Sequence, residues 1–532
     1  MRQQRICFPV VRKMGKLLMG MDIGTSACKA ALFDPEGNVM CRSTEEYPVY
    51  YPAPGYVEQN PLEWWEAVCR AVRRMIDASR VDVRQIAGIG VAGQSWSAIP
   101  VDRQGHVLCN TPIWMDTRSG EICREVLEKL GHDRIFQVCG NPFEPTYTTP
   151  KILWFREQRP EIFRNTFQFL QSNSYIVYRL TGVFTQDLSQ GYGLHFFHMQ
   201  NGQWDEKLSG ELGIPLEKLP ELFPCDKVVG EVTRAAGEAM GLPSGIPVVA
   251  GGLDAACGAL GAGVIHPGQT QEQGGQAGGM SICLSQPKAH PRLILGQHVV
   301  PDRWLLQGGT VGGGGTLKWF RQEFGASEEA QARQSGKGVY QIMDEEASGI
   351  APGSEGVLFL PYMAGERSPV WDKHAKGVYF GLDYHKTRAH MIRATMEGCA
   401  YALLHNLKTA EEAGAEALEL TAMGGAANSR LWTRIKSDVT GKTIRVSASD
   451  TATALGAAIL AGVGTGVYRD FQEAVKRACR ITRVYDPDQN LHLQYDGYYG
   501  IYRRLYDQLK NVFREAEKVP QMCGGDRKPG AD

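Results

Sequence analysis

Residues 20–34 read Gly-Met-Asp-Ile-Gly-Thr-Ser-Ala-Cys-Lys-Ala-Ala-Leu-Phe-Asp, and this stretch decides the fold. The apolar run at 17–21 predicts a short buried strand, and a second strand is predicted at 29–33. Glycine and hydroxyl residues between the two strands are typical of a tight turn. The sequence therefore predicts a strand–turn–strand hairpin at the start of the chain.

The tip of this hairpin has the chemistry of a phosphate site. Gly24, Thr25 and Ser26 can direct backbone N–H groups and hydroxyls at a phosphate. Asp22, placed after the first strand and before the turn, supplies the hard oxygen ligand that Mg²⁺ prefers. An ordinary Asp-Gly hairpin tip has the same letters, so a partner loop elsewhere in the chain has to decide between the two interpretations.

That partner loop occurs about 250 residues later. Residues 269–284 again predict a strand, a glycine turn containing Gly275 and Gln276, and a second strand. Two such hairpins, one opening each half of the chain, indicate a duplicated fold. We predict two related α/β domains that face each other across a cleft, each offering one hairpin to the phosphates.

Two further glycine turns lead from a strand to a helix. Residues 308–315 precede a helix predicted from Thr316 to Phe324, and residues 424–428 read Gly-Gly-Ala-Ala-Asn. Backbone without side chains lets such a loop approach a flat ring such as adenine closely.

Asp254 follows the predicted strand 248–250 and opens a helix built of alanine and glycine. An aspartate at this position is most often a helix N-cap. The same junction can also hold a catalytic base rigidly in a cleft, and the two interpretations stay open at this point.

Residues 88–93 match the dinucleotide-binding pattern G-x-G-x-x-G, but the context is wrong. The pattern requires a helix at the third glycine, whereas the sequence continues as another predicted strand. We interpret the stretch as a strand that delivers Gln94, Ser95 and Trp96 to the edge of a cleft, where an aromatic ring and two polar groups suit a sugar. A purely structural, buried Trp96 is the alternative. Asp116 and Arg118 form a local ion pair or line the same cleft.

Composition excludes several classes of protein. The chain has 532 residues, with 57 Lys plus Arg against 58 Asp plus Glu, so charge gives no reason to expect a nucleic acid or an anionic membrane as partner. No apolar run reaches the ~20 residues that span a bilayer. Thirteen cysteines without a C-x-x-C pair favour a reducing cytoplasm. Met14 or Met19 is a possible start, and residues 520–532 are predicted to be a disordered tail.

Four motifs together resemble the FGGY family of carbohydrate kinases. They are D-x-G-T-S at 22–26, G-G-x-D at 251–254, G-E-R-S-P at 365–369 and G-G-A-A-N at 424–428. Within the family the motifs are most similar to those of xylulokinases, and the resemblance covers residues 17–510. It implies two actin-like (ribonuclease H-like) domains, a sugar-binding one at 17–262 and an ATP-binding one at 263–515. Members often form dimers, so the resemblance also allows a homodimer.

The resemblance assigns roles to residues of this chain. It implies that Asp254 is the base that deprotonates a sugar hydroxyl and that Asp22 positions Mg²⁺. Substrate contacts are expected from Gln94, Ser95, Trp96 and Asp254. ATP contacts are expected from Gly24, Thr25, Ser26, Gly275, Gln276, Gly315, Gly424, Gly425, Ala426 and Asn428.

Two departures from the family pattern affect the predicted substrate. Xylulokinases usually have G-Q-M-H where this chain has Gly-Gln-Ser-Trp at 93–96, and G-T-S where it has Gly-Gln-Ala at 275–277. We therefore expect an ATP-dependent phosphotransferase acting on an alcohol group of a ketopentose or a related small sugar or polyol, with gluconate, ribulose, erythritol and glycerol as further candidates. A non-catalytic sugar or nucleotide sensor and an actin-like assembly ATPase are the alternatives.

Overall fold

A computed structural model describes residues 16–522. The alternative start at Met14 and the part of the predicted tail after Met522 lie outside these residues. The closing helix, predicted at 495–518, continues to Met522. No helix in the described part of the chain is both long and apolar enough to cross a membrane.

The strands are labelled in chain order. They are β1 Leu17–Ile23, β2 Ala27–Phe33, β3 Val39–Glu46, β4 Glu58–Gln59, β5 Ile86–Gly93, β6 Ile99–Val101, β7 Thr111–Pro112, β8 Gln168–Leu170, β9 Gln186–Asp187, β10 Phe197–His198, β11 Gln203–Trp204, β12 Leu222–Phe223, β13 Val228–Glu231, β14 Pro247–Val249, β15 Gly252–Leu253, β16 Gln269–Gly274, β17 Gly278–Leu284, β18 Ile294–Gln297, β19 Trp304–Thr310, β20 Leu358–Leu360, β21 Val378–Phe380, β22 Glu419–Met423, β23 Thr443–Ser447 and β24 Ile481–Tyr485.

The α-helices are labelled in the same way. They are α1 Pro61–Ala78, α2 Gly120–Leu130, α3 His132–Cys139, α4 Thr148–Gln158, α5 Pro160–Asn165, α6 Ser172–Thr181, α7 Glu206–Leu212, α8 Arg234–Met240, α9 Asp254–Gly261, α10 Gly314–Phe324, α11 Ala326–Ser335, α12 Val339–Ser348, α13 Arg388–Glu412, α14 Arg430–Thr440, α15 Ala452–Gly464, α16 Phe471–Ala478 and α17 Gln489–Met522.

The chain divides into two compact units, and neither is continuous in sequence. The first unit contains residues up to 267 together with 283–306 and 451–480. The second contains 268–282, 307–450 and the residues from 481 onward. The predicted division placed one boundary between 262 and 263, so it assigned residues 451–480 to the second domain.

The two units share one strand topology. In the first, β1 pairs antiparallel with β2 and parallel with β5, and β5 pairs parallel with β14. In the second, β16 pairs antiparallel with β17 and parallel with β22, and β22 pairs parallel with β23. An edge strand, β13 or β24, continues each sheet in the antiparallel sense. The predicted duplication of an α/β fold is therefore confirmed, and both sheets are mixed.

The first hairpin differs from its prediction in one respect. Asp22 was expected to follow the strand, but it lies within β1 and faces Lys29 of β2 in the antiparallel register. The Lys29 ammonium lies 3.6 Å from the Asp22 carboxylate, and this cross-strand attraction favours continued pairing up to the turn. The strand predicted directly after Gln94 is shorter than expected, because 94–98 form a loop and only 99–101 are extended.

Helix α15 packs onto the first sheet through glycines. A Cβ atom at Gly20 of β1 would lie 1.8 Å from the carbonyl oxygen of Ala454, and one at Gly90 of β5 would lie 1.9 Å from that of Ala457. The G-x-G-x-x-G run at 88–93 thus includes a glycine that admits a helix, not a pyrophosphate. This contact explains why residues 451–480 belong to the first unit.

We expect Gly90→Ala to lower the free energy of unfolding by about 3 kcal/mol, because the added methyl group meets helix backbone that cannot rotate away. Gly120→Ala is the matched control, since a Cβ at Gly120 meets no atom within 4 Å. Urea unfolding of both variants measures the difference. Equal stability of Gly90→Ala and the wild type would contradict the close packing of α15.

Candidate functional site

Asp22, Gln94 and Asp254 come together at one edge of the first sheet. The register pairs Asp22 with Ala92 across β1 and β5, and Ala92 with Gly252 across β5 and β15. Gln94 follows β5 directly, and Asp254 follows β15 directly. Because the carboxyl ends of parallel strands share one edge of a sheet, three predicted site residues from distant segments become neighbours.

The charge of Asp22 affects the pKa of Asp254. Burial, and in second place the negative charge of Asp22, raise the pKa of Asp254 to about 7. The N–H of Ala255, which donates to Oδ1 of Asp254 over 2.6 Å, and the charge of Lys29 act in the opposite direction. A carboxylate with a pKa near 7 is a stronger base than an exposed one and is suited to take a proton from a bound hydroxyl.

Asp22 has an oxygen that is available to a cation. Its Oδ1 is buried and has no hydrogen-bond partner among the described residues, while Oδ2 faces Lys29. Burial raises the pKa of this carboxyl group. Residues 16–522 contain no group of three or more His, Cys, Asp or Glu side chains arranged to hold a metal ion. A single hard oxygen fits Mg²⁺, which proteins often hold by one or two carboxylates together with phosphate and water oxygens.

The side chains of Thr25 and Gln94 are bound to other side chains. The Thr25 hydroxyl donates to Oε1 of Gln94 over 3.2 Å and accepts from the indole N–H of Trp114 over 2.9 Å. Gln94 donates to Gln59 over 2.7 Å, and Gln59 donates to the Thr25 carbonyl over 2.8 Å. These bonds hold Thr25, and with it the turn at 24–26, in place. Gln59 and Trp114 had no sequence signal of their own, since neither belongs to a chemical motif.

Trp96 forms an aromatic wall with two tyrosines. It has φ of +60°, a strained value for a bulky residue, and its ring stacks on Tyr147 with 4.1 Å between centroids. Tyr192 lies 5.6 Å from the Trp96 ring and donates through its hydroxyl to Ser95 over 2.9 Å. The buried indole N–H of Trp96 has no hydrogen-bond partner among the described residues, so a ligand hydroxyl would satisfy it.

A buried carboxylate stabilises the junction before Asp254. Asp187 accepts from the Ser189 hydroxyl over 2.5 Å and from Nδ2 of Asn173 over 2.9 Å. The Ser189 oxygen in turn accepts from the N–H of Leu253 over 2.8 Å. Burial raises the pKa of Asp187, and these hydrogen bonds oppose the rise. The network anchors the residue that immediately precedes the candidate base.

Asp116 and Arg118 form a structural ion pair, which decides between the two interpretations of the sequence. Nη2 of Arg118 lies 2.7 Å from Asp116 and 2.8 Å from Glu58. The guanidinium also lies over the rings of Tyr56 and Trp154, at 4.0 and 4.7 Å from their centroids. The guanidinium donors of Arg118 thus bind the side chains of Asp116 and Glu58 within the protein.

The predicted ATP residues after position 270 come together in the second unit. The loops that contain them are the hairpin turn at 274–278, the turn at 312–315 and the turn at 424–428. Gly314 and Gly315 donate their N–H groups to the carbonyls of Gly275 and Gln276 over 2.8 and 2.9 Å. These contacts bring together Gly275, Gln276 and Gly315, and Gly424 and Ala426 lie beside Gly274 of the same hairpin. Gly425 and Asn428 belong to the same short helical turn as Ala426.

Glycines let the backbones of these loops approach each other closely. A Cβ at Gly313 would lie 2.4 Å from the carbonyl carbon of Ala277, and one at Gly424 would lie 2.8 Å from the Gly274 carbonyl oxygen. Gly424 also has φ of +85°, which favours glycine. Gly275 is half-buried, and Gly424 and Gly425 are exposed. The result is a surface of peptide groups that a flat or anionic ligand can approach closely.

The G-E-R-S-P motif supports the middle loop. Glu366 accepts from the Thr310 hydroxyl over 2.8 Å and from the N–H of Val311 over 2.9 Å. Ser368 accepts from the N–H of Gly309 over 2.6 Å. Burial raises the pKa of Glu366 to about 7, and its hydrogen bonds oppose the rise. The motif thus supports the segment 309–311, which leads into the turn at 312–315.

Comparison with known proteins gives the family. Models of the FGGY family of carbohydrate kinases match residues 17–261 with the N-terminal domain and 282–465 with the C-terminal domain. A xylulose kinase of Staphylococcus epidermidis is 31% identical over 499 residues, which are 93% of this chain and 98% of that protein. The chain belongs to the FGGY family of carbohydrate kinases. The predicted resemblance is therefore confirmed.

Other relatives of this FGGY kinase differ in substrate. A gluconokinase of Bacillus subtilis is 29% identical over 508 residues, covering 94% of this chain and 98% of that protein. The crystal structure of a xylulose kinase from Rhodospirillum rubrum superposes with a TM-score of 0.84 at 28% identity, covering 94% of this chain and all of that one. The FGGY kinase is thus a phosphotransferase with a small sugar as acceptor and, as the family implies, ATP as the other substrate.

A buried ion pair lies beside the second hairpin of this FGGY kinase. Nζ of Lys436 on α14 lies 2.6 Å from Oε1 of Glu272 on β16, and both side chains are almost fully buried. The second carboxylate oxygen of Glu272 is buried without a hydrogen-bond partner among the described residues. The pair joins the strand that leads to Gly274 to the helix that follows the turn at 424–428.

We expect Lys436→Met to lower the free energy of unfolding by about 4 kcal/mol, because it leaves the charge of Glu272 buried and unpaired. The double variant Lys436→Met/Glu272→Gln should recover most of this loss, since no buried charge remains. Urea unfolding of the two single variants and the double variant gives the coupling energy. Additive effects of the two substitutions would show that the pair is not coupled.

Proposed function

We propose that this FGGY kinase transfers a phosphoryl group from ATP to a hydroxyl of a neutral ketopentose such as xylulose. Asp254 is the general base in this proposal, and Gln94, Ser95 and Trp96 form the sugar site. Mg²⁺ bound beside Asp22 would neutralise phosphate charge. The observation that carries the proposal is the placement of two carboxyl groups, Asp22 and Asp254, at one edge of the first sheet.

The charges of the first unit favour a neutral substrate. Cations in this region already have partners: Lys29 faces Asp22, Lys151 donates to three backbone carbonyls, and Arg118 is bound to Asp116 and Glu58. A sugar acid such as gluconate would bring a further negative charge toward two carboxylates, which electrostatic complementarity disfavours. The aromatic wall suits the C–H face of a sugar, and the Ser95 hydroxyl and Trp96 N–H suit its hydroxyls.

The proposed reaction needs little covalent chemistry from the protein. Asp254 accepts the proton of the substrate hydroxyl as its oxygen attacks the terminal phosphorus of ATP. The proposed phosphate contacts of the first unit are Gly24, Thr25 and Ser26, and those of the second unit are Gly275 and Gln276, through backbone N–H groups and polar side chains. The turn at 424–428 receives the adenosine. The proposed contacts there are Gly424, Gly425, Ala426 and Asn428, and Gly315 of the turn at 312–315 is a further proposed ATP contact.

A coupled ADP-release assay across ketopentoses, polyols, glycerol and sugar acids tests the proposal. We expect turnover with a neutral ketopentose to exceed that with gluconate by at least about tenfold. Asp254→Asn should lower turnover about 10³-fold without lowering the melting temperature, because burial already disfavours the charged form of Asp254. ATP turnover without any sugar, or no turnover with any compound, would instead favour the assembly ATPase or the sensor.

The pH profile of kcat/KM tests the role of Asp254 separately. The base works only when deprotonated, so activity should fall as the pH drops through about 7, by tenfold per pH unit at the acidic end. Lys29→Met removes a positive charge that lowers the pKa of Asp254, so the acidic limb should move to higher pH. Exposed Lys129→Met is the control and should leave the limb unchanged. If the pH of the acidic limb is the same in Lys29→Met and the wild type, Asp254 is not the titrating base.

A further inference from the structure

Lys151 on helix α4 is a buried lysine with no carboxylate of residues 16–522 in hydrogen-bond contact. Its side chain is fully buried, and its ammonium donates to the carbonyl oxygens of Trp96 and Ile113 over 2.8 Å each and of Thr146 over 2.6 Å. Burial lowers the pKa of Lys151 to about 7, while the charge of Asp116 opposes this change. All three N–H donors of the ammonium therefore have backbone partners.

The three carbonyls belong to three separate loops. Trp96 lies in the loop after β5, Ile113 follows β7, and Thr146 precedes α4. Each loop delivers an aromatic side chain to the first unit's site: Trp96 itself, Trp114, which donates to the Thr25 hydroxyl, and Tyr147, which stacks on Trp96. One ammonium group thus joins the segments that form the aromatic wall and the support of the first hairpin.

Trp96 depends most on this contact. With φ of +60°, it occupies the left-handed region that bulky residues avoid, so surrounding contacts have to hold it there. The Lys151 ammonium binds its carbonyl from one side, and Tyr147 covers its ring. A buried charge is costly, and an apolar side chain of similar length would avoid that cost at this position.

We infer that Lys151 is a positioning residue for sugar binding, which acts by holding the loops of Trp96, Ile113 and Thr146 together. It does not touch the substrate, because it is fully buried and all its donors are engaged. This inference rests on the proposed function, since it assigns the aromatic wall to the sugar. Neutralising or removing the ammonium should release Trp96 from its left-handed conformation and widen the site.

Steady-state kinetics with D-xylulose and ATP test the inference. Lys151→Met, which keeps the length of the side chain but has no donor, should raise the KM for D-xylulose at least tenfold and leave the KM for ATP within twofold. Leu153→Ala, a buried change on the same helix without a lost hydrogen bond, is the matched control. It should lower the melting temperature but change neither KM by more than twofold.

Near-UV circular dichroism gives a readout that is independent of activity. Lys151→Met should change the aromatic signal in the same sense as Trp96→Phe, because both disturb the stack of Trp96 on Tyr147, whereas Leu153→Ala should not. If Lys151→Met does not fold, Lys151→Gln, which keeps an amide donor, allows the same comparison with a smaller expected rise in KM.

Suppose that the wild type is active and that Lys151→Met changes neither the KM for D-xylulose nor the aromatic signal. That result would overturn the inference and leave the proposed function standing. A loss of specific activity with unchanged KM would have the same meaning. A wild type that phosphorylates neither D-xylulose nor any other sugar of the panel would overturn the proposed function and the inference with it. A raised sugar KM together with the altered aromatic signal supports it.

Discussion

The close approach of helix α15 to the first sheet is the contact on which the arrangement of the site depends. Gly20 and Gly90 on the sheet lack the Cβ atoms that would keep α15 away, and Gly456 on α15 does the same toward α9, where a Cβ would lie 1.8 Å from the Cys257 carbonyl oxygen. The same helix therefore packs against β1, β5 and α9. These are the elements that carry Asp22, lead to Gln94 and begin with Asp254, so one rigid contact sets the spacing of all three.

Buried polar groups then fix the loops at the edge of the sheet. Lys151 binds the backbone carbonyl of Trp96, and Asp187 binds Ser189, which accepts from the residue before Asp254. Beside the glycine turns of the second unit, Glu366 accepts from Val311, and Lys436 donates to Glu272. Such groups add little net stability, because desolvation offsets much of what their bonds contribute. Their consequence is geometric, since a loop held by directed bonds has one conformation and a loop held by apolar contact has several.

The sequence predicted the parts of the fold that are local. Both hairpins, the helix opening at Asp254 and the turn at 424–428 follow from apolar periodicity and from glycine positions, and the repeated hairpin was sufficient to predict the duplication. The sequence did not predict that residues 451–480 return to the first unit. The composition of an alanine-rich helix does not indicate which of two sheets the helix packs against. The glycines at 88–93 were correctly separated from a dinucleotide motif, but their packing role requires knowledge of the helix above them.

The candidate site shows the same division between local and long-range information. Asp22, Asp254 and the glycine turns stand in motifs, whereas Gln59 and Tyr192 act through partners that are 35 and 97 residues distant. Asp187 acts through Ser189, whose oxygen accepts from a backbone N–H 64 residues further along the chain. Lys151 stands in an apolar helix, where the sequence reveals neither its burial nor its three carbonyl partners. Contacts of this kind arise only when separate loops meet, so no local pattern records them.

Burial and the charge of Asp22 raise the pKa of Asp254, and both bear on the reaction proposed for it. A carboxylate with a pKa near 7 is more basic than an exposed one, yet a sugar hydroxyl holds its proton far more tightly. The proton can therefore pass to Asp254 only as the new P–O bond takes up the charge of the oxygen, which makes positioning the main requirement. The charge of Asp22 that helps to raise this pKa also repels anions, so in the proposed reaction the same electrostatic feature makes Asp254 a better base and favours a neutral sugar.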